Sequence, residues 1–330
     1  MSNPARDPHA RLLADVGGTN VRFGWQRQRG APIDDIVVLP SDGFASLSDA
    51  ISAYLQRRDR AAPACCAIAI ANPIVGDTVR MTNRAWTFSI AALKAHHAFE
   101  RLLVMNDFTA LALALPSLRA DDLRQVGGGQ ALPDAPRALI GPGTGLGVSG
   151  LLPDGVGGWV ALQGEGGHGT LAARTAREQS VLQWLERRYG HASAERGCCG
   201  QGLVDLHHAL SDLDQGTSEA TPLRDAADVT AGAERGDPVC REAVAMFCAF
   251  LGTAAGNLAL TLGSRGGVYI GGGIVPRLGP LFDASPFRER FEAKGRFRGY
   301  LGALPVFVIL APETPPALLG AANALDRLST

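Results

Sequence analysis

The sequence predicts an α/β protein of two domains, each a mixed sheet covered by helices. Three observations predict it. The chain has 330 residues, 46% of them hydrophobic, which is enough for two buried cores. Short apolar runs of strand length alternate with longer stretches of helical period. A strand–turn–strand glycine motif occurs twice, about 125 residues apart, which suggests two similar halves facing each other over a cleft.

The elements follow in order. Strand signals open the chain at Leu12–Asp15 and Val21–Gln26, joined by Gly17-Gly18-Thr19-Asn20, with a third strand at Ile36–Leu39. Ser46–Arg58 reads as a helix, with Leu47, Ile51 and Leu55 on one face. Cys66–Ala71 is an apolar run that suits a buried strand. Ile90–Phe99 is helical, Leu102–Met105 is a strand ending at Asn106-Asp107, and Phe108–Leu115 continues as helix. A polar stretch rich in Gly and Pro, Val126–Arg137, reads as a surface loop. The second set opens with a strand at Ala138–Gly141, a GPGTGLG turn and a strand at Val148–Leu152. Helices are expected at Ala172–Tyr189, Gly200–Leu210 and Arg241–Leu262. Val268–Ile270 is a strand running into Gly271-Gly272-Gly273, Pro305–Leu310 is a late strand, and Ala317–Leu328 is a closing helix.

Composition excludes several classes of function. The net charge is -1 and no long basic block occurs, so nucleic acid is not expected as a partner. Lys occurs only at Lys94 and Lys294, and neither follows a glycine-rich loop, so a Walker-type phosphate loop is excluded. The N-terminal MSNPARDPHAR has no apolar core and does not read as a signal peptide. Ala243–Leu262 is uncharged and long enough to resemble a membrane span. Gly252, Thr253, Gly256, Asn257 and Thr261 within it point instead to a central buried helix, and no membrane partner is expected. The six cysteines (65, 66, 198, 199, 240 and 248) form no C-x-x-C pair and read as reduced thiols of a cytosolic protein.

The motifs that carry chemistry are glycine turns and acidic residues. Two strands joined by Gly17-Gly18-Thr19 suit a phosphate wrapped by backbone N–H groups. Asp15 cannot touch the phosphate directly, because like charges repel, but it suits the Mg²⁺ that accompanies ATP. Gly141–Gly147 has the wrong spacing for a dinucleotide fingerprint and precedes a strand, so it fits either a second phosphate turn or an ordinary glycine hairpin. With Gly271–Gly273 as a third cluster, nucleotide binding is the better reading. Asn106-Asp107 lies where an apolar strand meets a helix, which suits a ligand site and equally a helix cap. Glu165 and His168 are set among four glycines, where charged side chains have no core role and suit a polyol. Three converging zinc ligands are not evident around them. Glu195 could join them, or could pair with Arg196 on a helix surface.

These segments together identify a resemblance. LLADVGGTNVR, AIANPIVGDTVRMTNRAWTFSI, VMNDFTALALALP, IGPGTGLGVSGL, LQGEGGHGTLA, HASAERGCCGQGLV, GNLALTLGSRGGVYIGGGIVPR and FEAKGRFRGYL resemble the bacterial glucokinases of the hexokinase–actin–Hsp70 superfamily. The zinc motif of the repressor–sugar-kinase group is missing. The resemblance implies the two-domain actin/hexokinase-like (ribonuclease H-like) α/β fold with a cleft between the lobes. It places a small domain at 1–117 plus 309–330 and a large domain at 118–308. It implies transfer of a phosphoryl group from ATP, with Mg²⁺, to the 6-hydroxyl of D-glucose, the first step of glycolysis, in a cytoplasmic homodimer.

By the resemblance Asp107 matches the catalytic base, and Asn106, Asp107, Glu165, His168 and Glu195 match glucose contacts. Ala14, Asp15, Val16, Gly17, Gly18 and Thr19 match one phosphate segment, and Gly143, Thr144 and Gly145 match another. Gly272 and Gly273 fall in the adenosine segment, and Asp15 would reach Mg²⁺ through water. The chain departs from the family at Cys199-Gly200-Gln201-Gly202, where Ser-Gly-Pro-Gly is usual. A broader hexose kinase and a non-kinase sugar-binding regulator on the same fold are the alternatives. Only about ten residues precede the first turn, too few for a helix-turn-helix.

Overall fold

The computed structural model describes residues 7–57, 63–81, 84–215, 225–310 and 313–327. Arg58, Thr82, Asn83 and Leu328, which belong to segments named above, lie outside them. The chain divides into two compact units, residues 1–118 with 311–330, and residues 119–310.

The first unit is built on strands β1 (Asp7–Val16), β2 (Asn20–Gln26), β3 (Ile33–Pro40), β4 (Pro63–Ile70), the short pair β5 (Thr78–Arg80) and β6 (Thr87–Ser89), and β7 (Arg101–Asn106). Its helices are α1 (Leu47–Arg57), α2 (Ile90–His96), α3 (Asp107–Ala114) and the closing helix Pro316–Arg327. The main sheet has the order β3-β2-β1-β4-β7. β1 runs antiparallel to β2 and parallel to β4, and β4 runs parallel to β7. β4 and the middle of β1, Leu12–Ala14, are apolar because both faces are covered. Leu12, Ala14 and Val16 of β1 pack with Leu47, Ile51 and Tyr54 of α1, whereas Leu13 packs with Leu318, Ala321 and Leu325 of the closing helix. Strand alternation thus assigns each residue to one of two cores.

The second unit adds β8 (Leu123–Val126), β9 (Arg137–Pro142), β10 (Leu146–Pro153), β11 (Trp159–Ala161), β12 (Val268–Ile270) and β13 (Val306–Ile309). Its helices include α4 (Ala176–Tyr189), the short α5 (Ala194–Gly197), α6 (Gly200–Gln215), α7 (Ala226–Arg235), α8 (Pro238–Leu262) and α9 (Ile274–Leu278). The sheet order is β11-β10-β9-β12-β13-β8. β9 runs antiparallel to β10 and parallel to β12, and β12 runs parallel to β13. That is the pattern of the first sheet, so the repeated glycine motif marks a repeated topology. Both turns join an antiparallel hairpin whose first strand also pairs with the parallel strands of its sheet.

α8, uncharged from Ala243 onward, is a core helix. Its most apolar window is 72% buried, and Phe247, Phe250, Leu251 and Ala255 pack into the large hydrophobic cluster of this unit. Its ends are set by sequence: the Asp237 side chain accepts from Cys240 N–H, Pro238 opens the first turn, and Gly263 closes it in the left-handed conformation.

Three expectations change. Val126 ends β8, an edge strand paired antiparallel to β13, rather than opening a loop. The helix expected from Ala172 begins at Ala176, because Thr175 caps it: its hydroxyl accepts from Glu178 N–H at 3.1 Å. α7 was not expected. It buries only Val229, Gly232 and Ala233.

Candidate active site

In the first unit the candidate residues gather where the parallel strands end. The register sets Asp15 of β1 beside Ala69 of β4, and Ala69 beside Met105 of β7. Asp15 is therefore two strand spacings from Met105, about 10 Å. Asp15 alternates with Ala14 and so faces the side of the sheet where Ala69, Met105 and Ala110 of α3 pack. The N-terminus of α3, which carries Asp107, lies at that same end. Asn106 is its N-cap, and Asn106 Oδ1 accepts from Phe108 N–H (2.9 Å) and Thr109 N–H (3.2 Å). The capping role is real, and it leaves the Asn106 amide nitrogen as the group for a ligand. Asp107 Oδ1 also accepts from Phe108 N–H, at 2.9 Å, which orients the carboxylate. The start of a helix favours negative charge at this position.

Asp15 is held by Arg22. Arg22 Nη1 donates to Asp15 Oδ2 at 2.7 Å, directly across the hairpin. Burial pushes the Asp15 carboxyl above its ordinary value, and the guanidinium draws it back. Arg22 ends the LLADVGGTNVR segment, but that segment gives it no role of its own. Its only signal is the hairpin register that sets it opposite Asp15.

Ala14 and Val16 are buried strand residues that support the turn. Gly17 N–H donates to Asn20 O at 2.9 Å. The carbonyls of Gly18 and Thr19 accept from Arg84 Nη1 (3.1 Å) and Ser41 N–H (2.8 Å). The N–H groups of Gly18 and Thr19 have no partner among the described residues. Two successive free N–H groups in a turn form an anion-binding concavity.

The second unit repeats this device. Gly143 N–H donates to Gly145 O (2.8 Å), and Gly143 O accepts from Gly200 N–H at the start of α6 (2.9 Å). Among the described residues the N–H groups of Thr144 and Gly145 have no partner. Gly272 adjoins this turn. Its φ is +77°, and a Cβ there would stand 2.2 Å from Pro142 O, so only glycine fits. Gly273 then leads into α9.

Glu195 ties the turn to the polyol candidates. Its Oε2 accepts from Leu146 N–H at 2.9 Å, and its Oε1 lies 4.0 Å from His168 Nδ1. A Cβ on Gly145 would stand 2.5 Å from that Oε2, so the carboxylate closes on the turn because residue 145 has no side chain. The surface pair with Arg196 is not what forms: the Arg196 guanidinium lies 3.8 Å from the centre of the Tyr189 ring. His168 and Glu165 are exposed on one short helical turn, where His168 N–H donates to Glu165 O at 3.0 Å. At the divergent Cys199–Gly202 segment, Cys199 Sγ accepts from Gly202 N–H at 3.3 Å, and Gln201 Nε2 donates to Asp205 Oδ1 at 3.1 Å. These bonds start α6 without the usual proline.

The structure thus brings Asp15, Asn106 and Asp107 together in one unit. In the other it brings together the Gly143–Gly145 turn, Gly272, Glu165, His168 and Glu195. The profile of the glucokinase family matches residues 12–328. This chain belongs to the glucokinase family. It is 51% identical to a glucokinase of Aromatoleum aromaticum, over 99% of this chain and 98% of that one. It is 52% identical to a glucokinase of Chromobacterium violaceum, over 100% of this chain and 93% of that one. A crystal structure of glucokinase from an Antarctic psychrotroph superposes with a TM-score of 0.86 at 35% identity, over 96% of this chain and 99% of that one. A non-kinase regulator finds no support among these relatives, and the family accounts for the two-unit α/β fold.

Proposed function

We propose that this protein transfers the terminal phosphoryl group of ATP to the 6-hydroxyl of D-glucose. One observation carries the reading beyond family membership: a single carboxylate, Glu195, joins a turn with two free N–H groups to an exposed imidazole. A polyol and a phosphate are the ligands such a pairing suits.

Phosphoryl transfer needs alignment and charge neutralisation more than covalent chemistry. Glu165, His168, Glu195 and the Asn106 amide hold the sugar hydroxyls in this reading. Asp107 accepts the proton of the 6-hydroxyl, its carboxylate already aimed by Phe108 N–H. The N–H groups of Gly18, Thr19, Thr144 and Gly145 hold phosphate oxygens, and Gly272 and Gly273 leave room for the adenosine. The donor chemistry at Asp15 fits Mg²⁺, since one partly exposed carboxylate suffices for an ion that arrives with phosphates and waters. Bound there through a water, Mg²⁺ would offset charge on the β- and γ-phosphates. Arg22 holds that carboxylate in position.

The two compact units correspond in this proposal to the small and large domains of the family. Cytoplasmic residence, a place at the first step of glycolysis and a homodimeric state are part of the same reading. Glucose-dependent ADP release in a coupled assay tests the activity, and mannose in place of glucose tests a broader hexose range. No ADP release with glucose would refute it.

A further inference from the structure

We propose that His207, Asp237 and Cys240 form a site for one divalent transition-metal ion of the Zn²⁺ type, distinct from the residues assigned to glucose and ATP. His207 lies in α6, Asp237 caps α8, and Cys240 stands in the first turn of α8. One donor atom from each lies within 4.8 Å of the other two: a ring nitrogen, a carboxylate oxygen and a sulfur. Among the described residues this is the one such grouping of three.

A second observation is independent of that clustering. His207 is 6% exposed, and its Nδ1 is buried with no hydrogen-bond partner. Buried polar atoms are almost always satisfied, so an orphaned nitrogen on the imidazole that is grouped with a thiol and a carboxylate is open to a ligand. Cys240 is also buried, and its sulfur sits close to Gly232 of α7, where a Cβ would come within 2.5 Å of it. Asp237 is exposed, which leaves a side open for entry and for a water as the fourth ligand.

The donor set selects the ion. Sulfur and imidazole disfavour Mg²⁺ and Ca²⁺, which take oxygen, and suit Zn²⁺ or Co²⁺. Around tetrahedral zinc such donors lie about 3.5 Å apart, so side-chain rotation of about 1 Å closes the site. On binding, the Cys240 thiol gives its proton to solvent and coordinates as thiolate. The ion then ties α6 to the corner between α7 and α8.

The test uses the full chain without nucleotide. Zn²⁺ titrated by calorimetry should bind with one equivalent, and Co²⁺ should produce a thiolate-to-cobalt charge-transfer band. Cys240→Ser should abolish the band and weaken Zn²⁺ binding about tenfold or more. His207→Gln should weaken Zn²⁺ binding similarly, and gives an independent reading should the serine variant fold poorly. Both variants should keep the zinc-free glucose phosphorylation rate. Absence of Zn²⁺ binding in the wild-type chain overturns the proposal, as does a band or stoichiometry that survives both substitutions.

Discussion

Replacing Glu195 separates its two contacts. Oε2 anchors the Gly143–Gly145 turn through Leu146 N–H at 2.9 Å, while Oε1 faces His168 at 4.0 Å. Glu195→Ala removes both. A hydrogen bond to a charged group contributes about 1.5–3 kcal/mol, so losing one sugar hydroxyl contact should lower kcat/KM for glucose roughly 10- to 150-fold. The Leu146 N–H is then left unpaired, at about 1–3 kcal/mol, and the turn loosens. The KM for ATP should therefore rise as well. Glu195→Gln keeps an amide oxygen for Leu146 N–H but loses the charge. Glucose kcat/KM should fall about fivefold to tenfold, the difference between a charge-assisted and a neutral bond, while the KM for ATP stays near wild type. Steady-state kinetics with each substrate varied in turn reads both effects. Wild-type glucose kinetics in both variants would refute the sugar contact. A KM for ATP raised equally in Glu195→Gln and Glu195→Ala would refute the anchoring role of the oxygen.

Four further outcomes are expected. Asp107→Ala should lower kcat by about two to four decades with circular dichroism unchanged, and near-full activity in the folded variant would exclude Asp107 as the base. Asp15→Asn should raise the Mg²⁺ concentration for half-maximal rate about tenfold, and an unchanged Mg²⁺ dependence would show that this carboxylate does not serve the ion. Gly272→Ala pushes a Cβ to 2.2 Å from Pro142 O at a φ of +77°, so the KM for ATP should rise with little change in that for glucose; equal changes in both would point to general unfolding. The buried pair of Glu178 with Arg290 governs acid stability: burial alone would raise the Glu178 carboxyl, but Arg290 and the backbone N–H of Arg174 hold it below its ordinary 4.5. Because the folded value is depressed, its contribution is complete above that pH and is lost as pH falls through the folded value. Glu178→Gln should cost about 3–5 kcal/mol at neutral pH and flatten the acid limb of a urea-midpoint profile, and a profile parallel to wild type would contradict this.

The elements most legible in the sequence were those with a local cause. The apolar run ending in Asp15 and the alternating Val21–Gln26 flank a glycine turn, and β1 and β2 form there, with ends only a few residues further out. Ser89 and Asp237 cap helices with their side chains, but the second of these helices, expected from Arg241, begins at Pro238. The capping signature Thr175-x-x-Glu178 was equally present, yet Ala172 and Ala173 extend the helical pattern backward and masked it. The short strand β8 owes its pairing to the distant β13, and the three-residue β11, which folds back on β10, is too short to show a strand period. The same holds for the candidate sites. Glu165, His168 and Asp107 stand out because charge among glycines or at a strand end is locally unusual. Arg22 gains meaning only from register, Arg84 only from its reach to Gly18, and the grouping of His207 with Asp237 and Cys240 only from the packing of α6 on α8.

The repeated topology explains why the chemistry divides as it does. In each sheet a hairpin precedes two parallel strands, and the hairpin turn lies at the end where those parallel strands finish. Side chains and N–H groups accumulate at such ends because the chain must leave the sheet there, freeing its polar groups. Both turns present a pair of successive free N–H groups, which is the feature a phosphate needs and which a duplicated hairpin supplies twice. What surrounds each turn differs. β1 carries Asp15 next to its end, matched by Arg22, whereas β9 ends in Pro142, against which Gly272 packs without a side chain. A carboxylate near phosphate is tolerable only where a cation balances it, and Arg22 supplies that balance in the first unit. In the second unit the carboxylate is withdrawn to Glu195, whose hydrogen bond to Leu146 N–H fixes the turn from outside. The first turn is thus suited to a phosphate whose charge a metal shares, and the second to a phosphate held by N–H groups alone.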